Sequence, residues 1–248
     1  MNPAQLNEIK AQQWFYEFTL PDGSLTESYL PDFVKQIHLT REKALCSFLN
    51  QYKTKYALQN AIDVSCHEGY YSHVLAHHFQ NVVGVDKNHN SLKKAQLITD
   101  VLEKRNITFH HAAIEDWQGD AADFVLCFGL LYHIENPVQM IRKLAAITKS
   151  AICIESQILP AETIVQVEDG CYKKLRDIKG SFGLCFDYPE ISEGGLTELA
   201  LVPSREALMT LLHHFGFKNI QFYMPHENDY EQFVRQQRVI IYAEKNEN

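Results

Sequence analysis

Residues Ala61–Asp86 read AIDVSCHEGYYSHVLAHHFQNVVGVD. A short apolar run, Ala61–Val64, is followed by a turn, by a helical stretch that starts at Tyr70, and by a second apolar run, Val82–Asp86. Strand, helix and strand in this order predict a parallel βαβ unit. In such a unit a cofactor rests on the loop after the first strand and on the amides that open the helix.

The alternation of strands and helices continues on both sides of this stretch. Upstream, an apolar stripe with Leu45, Phe48 and Tyr52 predicts a helix capped by Thr40. Downstream we predict helices over 91–103, from the Asn136 cap to 147, and from 203 to Gly216, and strands over 107–110, 123–129, 151–155, 220–224 and 238–244. A loop without a helix separates the last two strands, which predicts an antiparallel hairpin.

The predicted fold class is therefore α/β, a Rossmann-like, mostly parallel sheet of seven strands with an antiparallel last strand and helices on both faces. We expect one domain over residues 1–248. Within it, residues 1–39 form an N-terminal lid segment. Residues 157–202 show little periodicity, and we expect this insertion to form a cap over a substrate.

The composition of the chain disfavours a membrane protein, an exported protein and a nucleic-acid partner. With 248 residues, 46% of them hydrophobic and 22% charged, the chain is an ordinary globular protein. No run approaches the roughly 18 apolar residues of a membrane span, and the N-terminus lacks the apolar core of a signal peptide. Six scattered cysteines without a CxxC pair favour reduced thiols in the cytoplasm. A net charge of −8 disfavours nucleic acid without ruling out tRNA, and favours a small-molecule partner.

The loop DVSCHEG, from Asp63 to Gly69, indicates the kind of cofactor. A dinucleotide site needs GxGxxG for close approach to a pyrophosphate, whereas Ser65 and His67 stand where glycines are expected. The second strand ends in an acid, Asp86, which is able to accept hydrogen bonds from both hydroxyls of a ribose. The next strand leads to AIEDW, which places an apolar residue and an acid beside an adenine.

These motifs resemble those of class I S-adenosylmethionine-dependent methyltransferases. DVSCHEGYYS resembles the first motif of that family, VGVD the second, AIED the adenine contact and FVLCFGLLYHIENP the fourth. The loop form DxxxxEGYxS, the string GLLYHxxNP and the N-terminal WFYEFTLPDGSLTES are similar to the branch that includes bacterial wobble-uridine tRNA methyltransferases. The cofactor implied by the resemblance is S-adenosyl-L-methionine.

The resemblance also implies which residues contact this cofactor. The loop should cradle the amino-acid end and the sugar, with Glu68 near the ammonium group, while Asp86 holds the ribose. Residues on the next two loops should contact the adenine, and residues at the end of the fourth strand should pass beneath the methionine. The cofactor-binding set is Asp63, Ser65, Cys66, His67, Glu68, Gly69, Asp86, Lys87, Ile114, Glu115, Phe128 and Gly129.

The candidate catalytic residues are His133 and Tyr132, which follow the fourth strand. His133 is either a general base for the acceptor or a side chain that orders the loop. Tyr132 either packs in the core or lines the pocket. Candidate substrate-binding residues are Trp14, Tyr16, Tyr29, Lys173 and Arg176, with core packing and a solvated basic surface as the alternatives. The doubled histidines lack the spacing of a metal site, so no metal is predicted.

We therefore expect methyl transfer from S-adenosylmethionine to an O or N atom of a small-molecule acceptor. Two alternatives stay open at this point. One is a tRNA-modifying methyltransferase, and the other is a protein that binds the cofactor without catalysis. The sequence does not indicate an oligomeric state.

Overall fold

The computed structural model describes residues 3–160, 179–186 and 198–246. The strands are β1 Gln13–Trp14, β2 Glu27–Ser28, β3 Asn60–Val64, β4 Asn81–Asp86, β5 Ile107–His111, β6 Ala122–Phe128, β7 Thr148–Gln157, β8 Phe182–Phe186, β9 Leu199–Pro203, β10 Phe217–Phe222 and β11 Arg238–Lys245. The α-helices are α1 Pro3–Lys10, α2 Asp32–Tyr52, α3 Tyr70–Ala76, α4 His89–Val101, α5 Pro137–Ile147, α6 Arg205–His214 and α7 Glu231–Val234. Two short 3-10 helices are η1 Ile114–Asp116 and η2 Leu131–His133.

Seven of the strands form one sheet in the order β10–β11–β7–β6–β3–β4–β5. The pairs β3–β4, β3–β6 and β4–β5 are parallel, whereas β11 runs antiparallel to both β7 and β10. This topology confirms the predicted mostly parallel seven-stranded sheet with an antiparallel last strand. That residues 1–248 form a single domain stays a prediction, since the chain divides into two compact units, residues 1–127 and 128–248.

In the first unit, aromatic packing joins α2 to the sheet. Tyr52 at the end of α2 is fully buried, lies 5.5 Å from the ring of Phe124 on β6, and donates a hydrogen bond to the Asp123 carbonyl at 3.2 Å. Leu45, Phe48 and Leu49 are buried on the same helix. The apolar stripe predicted from the sequence is thus the face that α2 buries.

The predicted start of α2 was wrong. Thr40 lies inside the helix, where its hydroxyl donates to the Gln36 carbonyl at 3.0 Å instead of capping an N-terminus. The helix begins at Asp32 because Pro31 fixes an extended backbone before it (φ −59°, ψ 146°), and the Asp32 carboxylate favours the first turn. Residues 32–39 of the predicted lid segment are therefore the first two turns of α2.

In the second unit, the predicted Asn136 cap is confirmed, and the helix predicted from residue 203 begins after Ser204. The Asn136 side chain accepts from the Gln139 amide at 3.0 Å before Pro137, and the Ser204 hydroxyl accepts from the Ala207 amide at 3.1 Å. β8 and β9 pair as an antiparallel hairpin within the predicted insertion. The rest of that insertion, residues 161–178 and 187–197, lies outside the described residues.

Several boundaries differ from the prediction. The β7 strand covers Thr148–Gln157 instead of 151–155. The α4 helix begins at His89, two residues early, because the Asn88 side chain accepts from the amides of Asn90 and Ser91. The β10 strand covers 217–222, since it starts directly after Gly216. The loop predicted before β11 contains the single turn α7. Across the described ranges, none of the helices combines the length and the apolar character that a membrane crossing needs.

Candidate functional site

The loop between β3 and α3 alternates left-handed and ordinary residues. Ser65, His67 and Gly69 have φ values of 59°, 51° and 80°. The positions of the three glycines in a GxGxG loop therefore keep a glycine-like backbone, although only the last is glycine. The Ser65 amide donates to the Val85 carbonyl at 2.8 Å, which ties the loop to β4.

Close packing explains why the third position has kept its glycine. A Cβ on Gly69 would lie 2.8 Å from the ring of Phe109 on β5 and 3.2 Å from the Ala95 side chain. Gly84 on β4 meets the same ring, at 2.6 Å. The loop thus packs against the ring of Phe109. At Gly69 two causes disfavour a side chain, namely the contact with this ring and the left-handed backbone.

Asp86 joins the end of β4 to this loop. Its carboxylate is buried, and it accepts from the His67 amide at 2.8 Å and from the Asn88 amide at 2.7 Å. Each carboxylate oxygen therefore has one protein donor and a further lone pair for a ligand. The two amide hydrogen bonds hold the Asp86 carboxylate in place at the end of β4, and its contact with a ribose stays a prediction.

Glu68 contacts the N-terminal segment. Its side chain is 2% exposed, and its Oε2 accepts from the amides of Phe15 at 2.8 Å and Tyr16 at 3.3 Å. Its Oε1 accepts from Lys94 Nζ at 2.9 Å. Lys94 also donates to the Gln13 carbonyl. The contact of Glu68 with an ammonium group stays a prediction.

Asp63 and Cys66, the other two predicted loop residues, are buried. The Asp63 carboxylate accepts from the Ser72 hydroxyl at 2.6 Å, near the start of α3. Burial, together with the nearby charge of Asp86, raises the pKa of Asp63 to about 7 even though the bond from Ser72 lowers it. Burial likewise raises the pKa of the Cys66 thiol, which is therefore protonated. Asp63 thus supports the first turn of α3.

The predicted adenine contacts follow β4 and β5. The Lys87 carbonyl is 3.0 Å from His111 Nε2, and the Ala112 amide donates to the Asp86 carbonyl at 3.0 Å. These bonds hold the two strand ends together. Ile114 is buried and Glu115 exposed on η1. Their contact with adenine stays a prediction.

The aromatic residues of the N-terminal segment differ in burial and in what they contact. Trp14 is fully buried, and its indole N–H donates to the Ile9 carbonyl at 3.0 Å, which favours packing over substrate contact. Tyr16 is buried and stacks on Tyr70 at 4.9 Å. Phe15 lies 5.0 Å from the His67 ring, and the more exposed Tyr29 lies 6.0 Å from Phe15. The segment thus lies against the β3–α3 loop, and its role as a lid stays a prediction.

Sequence reasoning missed two residues of this cluster, His38 and Arg41 on α2. Both are buried, and the positive charge of Arg41 acts on the His38 ring and on the Tyr16 hydroxyl. These two basic residues could have been recognised in the sequence, because they are three residues apart and fall on the side of the helix that carries the apolar stripe. Polar side chains on such a stripe need a partner inside the protein.

In the second unit, a buried ion pair holds Tyr132. Arg238 begins β11, and its guanidinium donates to the Tyr132 hydroxyl at 2.9 Å and to the Glu155 carboxylate at 2.8 Å. It also lies over the Tyr132 ring, 4.7 Å from the centroid. The His133 ring, 4.2 Å from that of Tyr132, is half-buried at the end of η2. Glu155 and Arg238 were also missed, although Glu155 closes the apolar run predicted over 151–155 and Arg238 opens the one predicted over 238–244.

Four predicted site residues remain, two at the end of β6 and two in the predicted insertion. Phe128 is buried at the end of β6, and the Gly129 amide donates to the Glu155 carbonyl at 3.4 Å. Lys173 and Arg176 lie outside the described residues. In the ranges the structure covers, no three His, Cys, Asp or Glu side chains gather as a metal-binding group.

Comparison with known proteins extends these observations. A family model described as "Methyltransferase domain" matches residues 57–195. Relatives include the tRNA U34 carboxymethyltransferase of Helicobacter pylori (strain J99), 24% identical over 64% of this chain and 56% of that protein. The protein of the same name from Trichodesmium erythraeum (strain IMS101) is 25% identical over 40% of this chain and 32% of the relative. The chain spans little more than half the length of the first of these relatives.

Solved structures share the fold. The N-terminal domain of EvdMO1 with SAH bound has a TM-score of 0.75 at 17% identity, covering 99% of this chain and 98% of that one. The magnesium protoporphyrin IX methyltransferase (ChlM) of Synechocystis PCC 6803 with bound SAH has a TM-score of 0.59 at 16% identity, covering 89% and 90%. Because the family model matches more than half of the 248 residues, this chain belongs to the methyltransferase domain family, as its motifs predicted.

Proposed function

We propose that this chain transfers a methyl group from S-adenosylmethionine to an O or N atom of a small-molecule acceptor. One observation carries the proposal. The left-handed residues Ser65, His67 and Gly69 form a loop that Asp86 clamps through the His67 amide. The amides of Ser65, Cys66, His67 and Gly69 donate within the protein, so the loop offers a ligand its close backbone and the remaining lone pairs of the Asp86 carboxylate. Membership of the family and SAH-bound structures with the same fold support it.

The residues fit the cofactor. Its amino-acid end and sugar need a polar cradle and a ribose acceptor, which the loop and Asp86 supply. No pyrophosphate has to approach the backbone, so the Cβ of Ser65 is compatible with binding. Lys87, Ile114 and Glu115 are the candidates for the adenine, and Phe128 and Gly129 for the methionine. When bound, the sulfonium supplies an activated methyl carbon, so the protein needs no nucleophile of its own.

The acceptor side is assigned to Tyr132 and His133. His133 is half-buried at the end of η2, where an imidazole nitrogen is the candidate to take a proton from the acceptor. Next to it, the Ile134 carbonyl accepts from the Leu201 amide at 3.0 Å, so strand β9 of the predicted cap borders this turn. A small acceptor would be held between the turn and the insertion.

Modification of tRNA is the alternative. The relatives named tRNA U34 carboxymethyltransferase favour it, and a net charge of −8 opposes it. The basic residues that would favour it, Lys173, Lys174 and Arg176, lie outside the described residues. The small-molecule acceptor is therefore the first choice.

The test follows methyl label from S-adenosylmethionine into a panel of hydroxyl and amine acceptors and into bulk tRNA, with release of S-adenosylhomocysteine as a second readout. Labelling of a small acceptor supports the proposal, and labelling of tRNA alone replaces it with the alternative. Cofactor binding without any product would indicate a non-catalytic protein. With an acceptor in hand, His133→Asn should lower kcat about a hundredfold and leave cofactor affinity unchanged if His133 is the base.

A further inference from the structure

A cavity of about 410 Å³ lies in the first unit and is lined by residues other than those of the predicted site. Its walls come from the N-terminal segment, from α2, from α3 and from the residues after α4. A cavity of this volume is large enough for a small organic ligand. The side chains that decide which ligand fits are Phe18, Glu42, His73, Val74, Leu102 and Lys104.

Glu42, on α2, brings a carboxylate to this cavity without a cation beside it. The residue is half-buried, and its Oε2 accepts from the Tyr70 hydroxyl at 2.5 Å. Burial and this hydrogen bond raise the pKa of Tyr70, so the hydroxyl stays protonated and remains a neutral donor. Across the described ranges, no basic side chain forms an ion pair with Glu42. The carboxylate is therefore available to a cationic group of a ligand.

Lys104, three residues after α4, brings the opposite charge to the same cavity. It is half-buried, and within the part of the chain that the structure describes its ammonium group has no ion pair with a carboxylate. Glu42 and Lys104 thus line one cavity without being paired with each other. Each charge is able to bind a group of opposite sign, and charge-assisted hydrogen bonds are the stronger kind.

His73, on α3, adds a neutral hydrogen-bonding group to the wall. It is 7% exposed, its Nε2 lies 2.8 Å from the Thr99 hydroxyl, and its Nδ1 has no hydrogen-bond partner among the described residues. Burial and the charge of Lys104 lower the pKa of His73 to about 4, so the ring is neutral. A buried ring nitrogen without a hydrogen bond is unusual, and a ligand in the cavity would supply the missing partner.

The apolar part of the wall consists of Phe18, Val74 and Leu102. Phe18 is 4% exposed, and its ring lies 5.5 Å from that of Tyr70 and 5.8 Å from that of His73. Val74 and Leu102 are half-buried. Apolar side chains that share a cavity with a few polar groups favour a ligand with a hydrocarbon part.

We propose that this cavity binds a small zwitterion, in which an ammonium group and a carboxylate are joined by a short hydrocarbon chain. Glu42 binds the ammonium group, Lys104 binds the carboxylate, and the apolar wall contacts the chain. A simple amine would leave Lys104 unpaired, and a simple carboxylate would leave Glu42 unpaired. A zwitterion satisfies both charges at once. This binding does not depend on methyl transfer, so it stands or falls apart from the proposed function.

The test follows the backbone amide signals of the isotope-labelled chain by NMR while a ligand is added. The zwitterions are 4-aminobutanoate, 6-aminohexanoate and 8-aminooctanoate, which differ in the distance between their charges. The tightest of them should shift the His73 and Val74 signals with a Kd of about 1 mM. The amine and the carboxylate of the same chain length, which each lack one charge, should bind about five- to tenfold more weakly, and the alcohol more weakly still.

Variants assign the two charged groups. Glu42→Gln should weaken the zwitterion and the amine about five- to tenfold and leave the carboxylate unchanged. Lys104→Met should weaken the zwitterion and the carboxylate and leave the amine unchanged. Val74→Phe, which fills the cavity, should abolish the binding of all of them. Glu206→Gln, at an exposed acid of α6, is the matched control and should change none of the affinities.

Each outcome supports or overturns the proposal. The selective losses just described support it. A wild-type chain that binds none of the three zwitterions in the millimolar range overturns it, and so does an alcohol that binds as tightly as the zwitterion. Equal loss of every ligand in Glu42→Gln and Lys104→Met would show that these residues support the fold, which also overturns it. If Glu42→Gln does not fold, the wild-type ligand series and Lys104→Met still decide.

Discussion

Two buried glutamates, Glu68 in the first unit and Glu155 in the second, are held in different ways. Glu68 accepts from two backbone amides of the N-terminal segment, and its cation, Lys94, is 27% exposed. Glu155 is 0% exposed, and its cation, Arg238, is itself only 8% exposed. A carboxylate that holds backbone amides fastens one segment, whereas a fully buried ion pair requires both of its members. The loss of Glu68 should therefore act locally and the loss of Glu155 globally.

The largest effect is expected for Glu155→Ala. It leaves the Arg238 guanidinium buried without this carboxylate, which should lower the free energy of unfolding by about 3–5 kcal/mol in denaturant titrations. The double variant Glu155→Leu/Arg238→Met removes both charges and should recover most of that loss. A single variant within about 1 kcal/mol of wild type would show that the pair is not desolvated.

The next effect is expected for Glu68→Ala. It removes charge-assisted hydrogen bonds to the Phe15 and Tyr16 amides and should cost about 1.5–3 kcal/mol. Because these bonds fasten one segment, hydrogen exchange should speed up at the two amides and stay unchanged in β3 and β6. Lys94→Met is the control, and it should cost less than about 1 kcal/mol. Uniformly faster exchange would contradict a local role.

A smaller effect concerns pH. The pKa of His38 is about 2 in the folded chain, against 6.5 in the unfolded chain, because the ring is buried beside Arg41. The unfolded state binds more protons below pH 6.5, so His38 contributes its full stability above that pH and loses it as the pH falls. The loss should approach about 1.4 kcal/mol per pH unit.

Replacing His38 with Phe should flatten the pH dependence of the free energy of unfolding between pH 6.5 and pH 5 by about this slope. The exposed His110→Phe is the matched control and should leave the pH profile as it is. Parallel profiles for His38→Phe and wild type would mean that the ring is solvated.

The smallest effect is expected at Ser65. Its φ of 59° is one that L-residues adopt at a cost, so Ser65→Gly should raise the free energy of unfolding by about 0.5–1 kcal/mol after the entropy of the unfolded chain is counted. Ser65→Ala keeps the Cβ and should bring no such gain. Equal stability of the two variants would mean that the loop is not strained at this position.

Contacts between residues near in sequence were predicted well, whereas contacts between distant residues were not. The apolar runs that end at Val64 and Asp86, and the Asn136 cap, are local patterns, and each was found where predicted. Thr40 failed as a cap because Pro31, nine residues upstream, set the true start of α2. Cap chemistry alone does not distinguish a first turn from a middle one.

The candidate site was predicted only where its residues follow strand ends. Asp86 and the loop fall into that class, since parallel strands bring their carboxyl ends to one edge. His38 and Arg238 do not, because their neighbours come from distant parts of the chain. Tyr16 approaches His38 from the N-terminal segment, and Glu155 approaches Arg238 across the β7–β11 pair. Sequence periodicity marks such residues as buried but does not name their partners.

Calorimetry of S-adenosylhomocysteine with the wild-type chain and with Asp86→Ala tests whether the β3–α3 loop and this acid bind the cofactor. Loss of the ribose hydrogen bonds should weaken binding about thirty- to two-hundred-fold, which corresponds to about 2–3 kcal/mol. Asp100→Ala, an exposed acid on α4, should leave the affinity unchanged. Unchanged affinity in folded Asp86→Ala would contradict the account, because it would remove Asp86 from the site.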